Sequence, residues 1–121
     1  MKLTLVSIEK ELIRVATEGN ITSVDFGGDG VNPLQQLLGE TWSGNRVLLN
    51  LAQSTYIDSS AIGWLISSSR SFRAAGGSLV IHSLPPSVKQ IMDVLKVQRV
   101  VPTAEDEAAA RAIALGQGAP A

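Results

Sequence analysis

Hydrophobic positions change period several times along the 121 residues, and each change marks an element. Leu3 to Ile8 and Leu12 to Ala16 are short apolar segments separated by Glu9-Lys10-Glu11, a pattern that predicts two antiparallel strands around a tight polar turn. Gly19-Asn20 ends the second strand, and Phe26 to Pro33 (FGGDGVNP) reads as a flexible glycine-rich loop. Asn32 then suits an N-cap and Pro33 the first turn of a helix running to about Trp42. Arg46 to Gln53 (RVLLNLAQ) is a continuous apolar run, short enough for a strand buried on both faces.

From Ser59 the period becomes helical. Ile62, Leu65, Ile66, Ser69 and Phe72 share one stripe, and Ala74-Ala75-Gly76-Gly77 stops the helix because glycine accepts a left-handed C-terminal conformation. SLVIHS, Ser78 to Ser83, predicts another buried strand; Pro85-Pro86-Ser87 opens a third helix with Val88, Ile91, Met92 and Leu95 at helical spacing. Val97 to Val101 reads as a last short strand, followed by a helix from Thr103, its expected cap, with acids in the first turn and Arg111 later. Strands alternating with helices from Arg46 onward predict a single α/β domain over residues 1–115: a mixed, mostly parallel sheet of four to five strands with about four helices. Residues 116–121 are expected to form a flexible C-terminal tail.

Composition narrows the function classes. With 45% hydrophobic and 17% charged residues, the chain is that of an ordinary globular protein. A net charge of -1 gives no reason to expect direct nucleic-acid binding. No cysteine and a single histidine exclude a thiol nucleophile, a disulfide framework and a thiolate metal site, and no cofactor or metal is expected. The first residues lack the pattern of a secretory signal, and no apolar run reaches membrane-spanning length, so the expected location is cytoplasmic without membrane insertion.

Candidate chemistry is sparse. Gly39 to Arg46 has P-loop glycine spacing, but Asn45 and Arg46 occupy the positions that need Lys and Ser/Thr. His82 is expected to be a structural histidine; a Ser-His-Asp set from Ser59 or Ser60, His82 and Asp93 lacks the nucleophile elbow. Asp25 and Asp29 read as solvated loop acids rather than a cation site. The remaining stretch is TYIDSSAIGWL, Thr55 to Leu65, where Asp58, Ser59 and Ser60 meet at a strand-to-helix junction. One cap needs only one of these side chains, Asp58 being the expected one, and α/β proteins concentrate recognition sites at such junctions. A phosphate on a hydroxyl there would face free backbone N–H groups and the positive end of the helix dipole. Trp64 lies off the inward stripe, so it is either a partly buried core residue or a partner anchor near the hydroxyls.

Ile57 to Val97 resembles the central half of STAS domains, the family of sulphate-transporter cytoplasmic domains and bacterial anti-sigma factor antagonists. The marks are apolar-Asp-Ser-Ser-small-apolar-Gly at residues 57–63, Gly76-Gly77 before a strand, and the Pro-led start of the next helix; RVLLNL resembles the family's central strand. Ala61 stands where the family usually has glycine. The resemblance implies a switchable binding module, not an enzyme. It implies that Ser59, with Ser60 as fallback, is phosphorylated by a serine kinase that is itself the anti-sigma factor, and that a metal-dependent serine phosphatase reverses this. The expected partner-binding residues are Asp58, Ser59, Ser60 and, from its place off the stripe, Trp64. The other role it allows is a non-phosphorylated scaffold or accessory subunit of a stress-signalling or lipid-transport assembly.

Overall fold

A computed structural model describes residues 1–26 and 31–116. The glycines of the predicted loop, with Asp29, and the tail from residue 117 lie outside the described residues. The chain runs β1 (Lys2–Ile8), β2 (Ile13–Glu18), α1 (Pro33–Leu38), β3 (Arg46–Gln53), α2 (Ser59–Ala74), β4 (Ser78–His82), α3 (Pro86–Leu95), β5 (Thr103–Ala104) and α4 (Glu107–Ala114). Short 3-10 turns occupy Ser23–Phe26, Trp42–Gly44 and Val97–Arg99. The five strands lie in sequence order; β1 pairs antiparallel with β2, and the other neighbours are parallel. This is the mixed, mostly parallel sheet with four helices that the alternation of periods predicts.

Strand β3 shows how sequence sets the layers. Val47, Leu49 and Leu51 pack into the larger core with Leu65, Phe72 and Met92, whereas Leu48 faces the other side with Leu12, Val80 and Ala110. Adjacent side chains point to opposite faces of a strand, so an unbroken apolar run is needed where both faces are covered. The larger core carries the aromatic residues, including a T-shaped Trp42–Phe72 contact at 5.2 Å between ring centroids. The α4 face is thinner and built on alanines. There Arg111 donates to both oxygens of Glu9 at 2.8 and 2.7 Å, and Arg14 donates to Glu107 at 2.6 Å. Arg111 holds the half-buried Glu9 carboxyl below its usual range.

Three boundaries depart from the expected ones. Helix α1 stops at Leu38 rather than Trp42 because Gly39 turns to φ 88, and Trp42 falls in the next 3-10 turn. Val97 to Val101 is not a strand: Lys96 takes a left-handed φ of 56, and the Val101 N–H donates to the Val97 carbonyl at 2.9 Å. Both valines are buried, and four-residue spacing puts them on one side of a turn, a burial pattern that the sequence alone leaves open to either period. The last strand is instead Thr103–Ala104, paired with Ile81 and His82. Thr103 therefore does not cap α4. Its hydroxyl donates to the Val101 carbonyl at 3.1 Å, while Asp106 caps α4 by accepting the Ala109 N–H at 2.9 Å.

Candidate functional site at the start of α2

Local chemistry fixes the junction between β3 and α2. Asp58 is extended (φ -107, ψ -176) and forms the N-cap: its Oδ1 accepts the Ala61 N–H at 3.0 Å. Its Oδ2 accepts the Ser23 N–H, also at 3.0 Å. One carboxylate thus starts α2 and fastens the Ser23–Phe26 turn, 35 residues away in sequence. Backbone pairing braces the same place. Ile21 bridges Ile57 in parallel, the Ile21 N–H donates to the Tyr56 carbonyl at 3.0 Å, and the Ser87 hydroxyl donates to the Thr55 carbonyl at 2.8 Å.

Ser59 and Ser60 are the first two residues of α2, and both are exposed. Neither hydroxyl has a hydrogen-bond partner among the described residues. Capping is done by Asp58, so the serines are surplus to it. Exposed Val24 (86%) and Tyr56 (49%) lie on the two segments that flank the helix start. The site therefore combines free hydroxyls, a helix N-terminus and apolar side chains on a braced backbone. The carboxylate beside the hydroxyls, Asp58, is engaged by the Ala61 and Ser23 N–H groups.

The family model for the STAS domain matches residues 7–110. The chain belongs to the STAS domain family. Its fold is similar to SpoIIAA, an anti-sigma factor antagonist, in its unphosphorylated form, at a TM-score of 0.63 and 15% identity over 97% of this chain and 99% of that one. It is similar to Bacillus SpoIIAA in the phosphorylated form, at a TM-score of 0.62 and 15% identity over 93% and 99% of the two chains. An anti-sigma factor antagonist domain protein from Planctomyces limnophilus gives a TM-score of 0.67 at 15% identity, covering 95% of each chain. Identity this low speaks to the fold.

Within this STAS domain, the other candidate residues fall into structural roles. Trp64, expected as a possible partner contact, is only 6% exposed: its indole N–H donates to Asn32 Oδ1 at 3.0 Å and its ring lies 5.2 Å from Phe26. The helix is buried over a wider arc than the stripe read from sequence, because Asn32 and Phe26 cover that side. Asn32 Oδ1 also caps α1 through the Leu34 N–H at 2.9 Å, and its amide donates to Ser68 at 2.9 Å, so one asparagine ties α1 to α2.

His82 is buried and shares a hydrogen bond of 2.8 Å between Nδ1 and the Ser83 hydroxyl. Burial lowers its pKa, with Arg14 acting in the same direction and the fields of Glu107 and Asp106 opposing. Its electrostatic neighbours are thus on α4 and Arg14, across the sheet from α2, and Asp93 is hydrogen-bonded to Gln98. No Ser-His-Asp set is assembled. Asp25 is occupied by the N-terminal ammonium at 2.7 Å and the Thr22 N–H at 2.8 Å; burial would raise its carboxyl, but these two partners outweigh it and hold it low. Among the described residues no group of acids or histidine forms a metal site, and no helix is long and apolar enough to cross a membrane.

Sequence reasoning identified Asp58 as the cap but missed the Ser23–Phe26 turn as its second partner. The contact is made through a backbone N–H, which no side-chain pattern encodes. The exposed pair Val24 and Tyr56 was equally silent, since isolated apolar residues in loops carry no period.

Proposed function

We propose that this STAS domain is an anti-sigma factor antagonist switched by phosphorylation of Ser59. Unphosphorylated, the start of α2 docks on an anti-sigma factor that is also a serine kinase and so frees a sigma factor; phosphorylated, the domain is released, and a metal-dependent serine phosphatase restores it. The reading rests above all on one observation: Ser59 is exposed and unbonded at the first helical position while Asp58 does all the capping. The likeness of fold to SpoIIAA in both its forms supports it. The domain acts by binding in the cytoplasm and catalyses nothing itself.

The physics of the switch is local. A phosphoserine adds about -1.5 to -2 charges. Set beside Asp58, that charge would be held by the helix dipole, yet it imposes repulsion and desolvation on any interface closed over Tyr56 and Val24. A coupling of about 1 to 3 kcal/mol changes partner affinity about 5- to 150-fold, so no refolding is required.

The test is a pull-down from native cells with wild type, Ser59→Ala and Ser59→Asp, joined to phosphopeptide mapping of the wild type. Phosphate on Ser59, and loss of the kinase from the Ser59→Asp bait, are expected. Absence of phosphate from Ser59 and Ser60, with equal capture by all three baits, would instead identify a fixed scaffold or accessory subunit.

A further inference from the structure

Charge is segregated along this chain in a way that its net value of -1 conceals. Between Ser59 and Ala104 there are five cations, Arg70, Arg73, Lys89, Lys96 and Arg99, against a single acid, Asp93. Folding concentrates four of the five. The second half of α2 packs on the Val97–Arg99 turn: Ser69 and Arg73 both donate to the Val100 carbonyl, at 3.2 and 3.0 Å. Arg99 precedes that carbonyl, its N–H closes on the Lys96 carbonyl at 3.2 Å, and Arg70 lies one turn back on α2. All four cations are exposed, and none forms an ion pair among the described residues. Asp93, the one acid of this stretch of sequence, is hydrogen-bonded to Gln98.

Two large apolar side chains adjoin Lys96. Val94 and Leu95, in the last turn of α3, are 72% and 56% exposed and immediately precede Lys96. Uncompensated cations beside exposed aliphatics make a surface complementary to carboxylates interleaved with apolar side chains. We infer that this end of α2 is a second docking surface, and that its occupant is an acidic, apolar segment of another protein. A flat anionic membrane fits less well. The parallel pairing of β2 with β3 puts the Glu9-Lys10-Glu11 turn at this same end of the domain, so a plane laid across it would meet Glu9 and the exposed Glu11. Duplex DNA would leave Val94 and Leu95 without a role. The surface is independent of the Ser59 switch, since it stands at the opposite end of α2.

The probe is a short labelled peptide alternating leucine and glutamate, titrated into the whole protein and followed by fluorescence anisotropy, with its leucine–lysine counterpart as control. Arg73 supports Val100, so the charge-reversal variant is the exposed pair Lys96→Glu with Arg99→Glu, its fold checked by circular dichroism. Binding of the acidic peptide alone, weakened about tenfold by that variant and reduced by salt, is expected. Ser59→Asp should leave it unchanged, which separates this surface from the proposed switch. The inference is overturned if the acidic peptide does not bind or binds the variant equally well. It is also overturned if only phosphatidylglycerol vesicles or duplex DNA bind in a Lys96- and Arg99-dependent way, or if sedimentation shows the patch already engaged by a second copy of the chain.

Discussion

The two ends of α2 are built by opposite means. At its start a side chain does the work: the Asp58 carboxylate accepts N–H groups from Ala61 and Ser23, and two serines stand exposed beside it. At its end the backbone does it. The Gly76 N–H donates to Arg73 at 3.3 Å and the Gly77 N–H to Phe72 at 2.8 Å, with Gly76 at φ 81, the paired bonds of a Schellman stop. A side-chain cap can be overridden by charge or modification, whereas a glycine stop responds only to steric change. The difference suits the proposed switch at the start of α2, set against a fixed base.

The largest effect should therefore come from the fixed end. A Cβ on Gly77 would collide with the carbonyl oxygens of Ser43 and Asn45, which are backbone atoms and cannot step aside alone. Gly77→Ala is expected to cost about 3 kcal/mol in urea unfolding, near the top of the range for single substitutions. A loss below about 1 kcal/mol would mean that the segment from Ser43 to Asn45 is free to move, and the base of α2 is not fixed.

At the other end, Asp58→Ala removes the cap and the bond to Ser23 together, with an expected loss of about 1 to 2 kcal/mol. Asp58→Asn keeps an oxygen for the Ala61 N–H but offers an amide to Ser23, so about half that loss is expected. The pair separates the capping role from the fastening of the Ser23–Phe26 turn. Hydrogen exchange at the Ser23 amide reads the second role directly: faster exchange in Asp58→Asn with α2 still protected is the expected result. An Asp58→Asn protein as stable as wild type would remove Ser23 from the account.

Trp64→Phe sharpens the comparison one turn further along. The indole N–H bond to Asn32 is lost and the ring is kept in part, so about 1 kcal/mol is expected, leaving Asn32 Oδ1 with the Leu34 N–H alone. A larger effect on partner capture than on stability would restore Trp64 as a contact.

How much of this was legible in the sequence follows from the same contrast. Periodicity located α2, β3 and β4 because their buried faces are set by repeating side chains, and Asp58 was readable because caps follow from local chemistry. The Val97–Arg99 turn was misread as a strand because a short valine-rich run fits either period, and a left-handed Lys96 has no composition signal. Trp64 was left open between core and contact because its cover comes from Asn32 and Phe26, on elements that local spacing cannot place. The basic cluster was invisible for a related reason: Arg70 and Arg73 meet Lys96 and Arg99 only once the Val97–Arg99 turn docks on α2.

The smallest effect on stability should belong to the residue that matters most for the proposed function. The Ser59 hydroxyl is exposed and has no partner among the described residues, so Ser59→Ala should change unfolding free energy by no more than about 0.5 kcal/mol. Ser59→Asp should also be tolerated, because the dipole at the helix start offsets part of its repulsion with Asp58. Both proteins should then unfold like wild type while differing from it in partner capture and in phosphate incorporation. If Ser59→Ala instead costs as much as Asp58→Ala, the hydroxyl is part of the cap. The start of α2 would then be no more adaptable than its glycine-locked end.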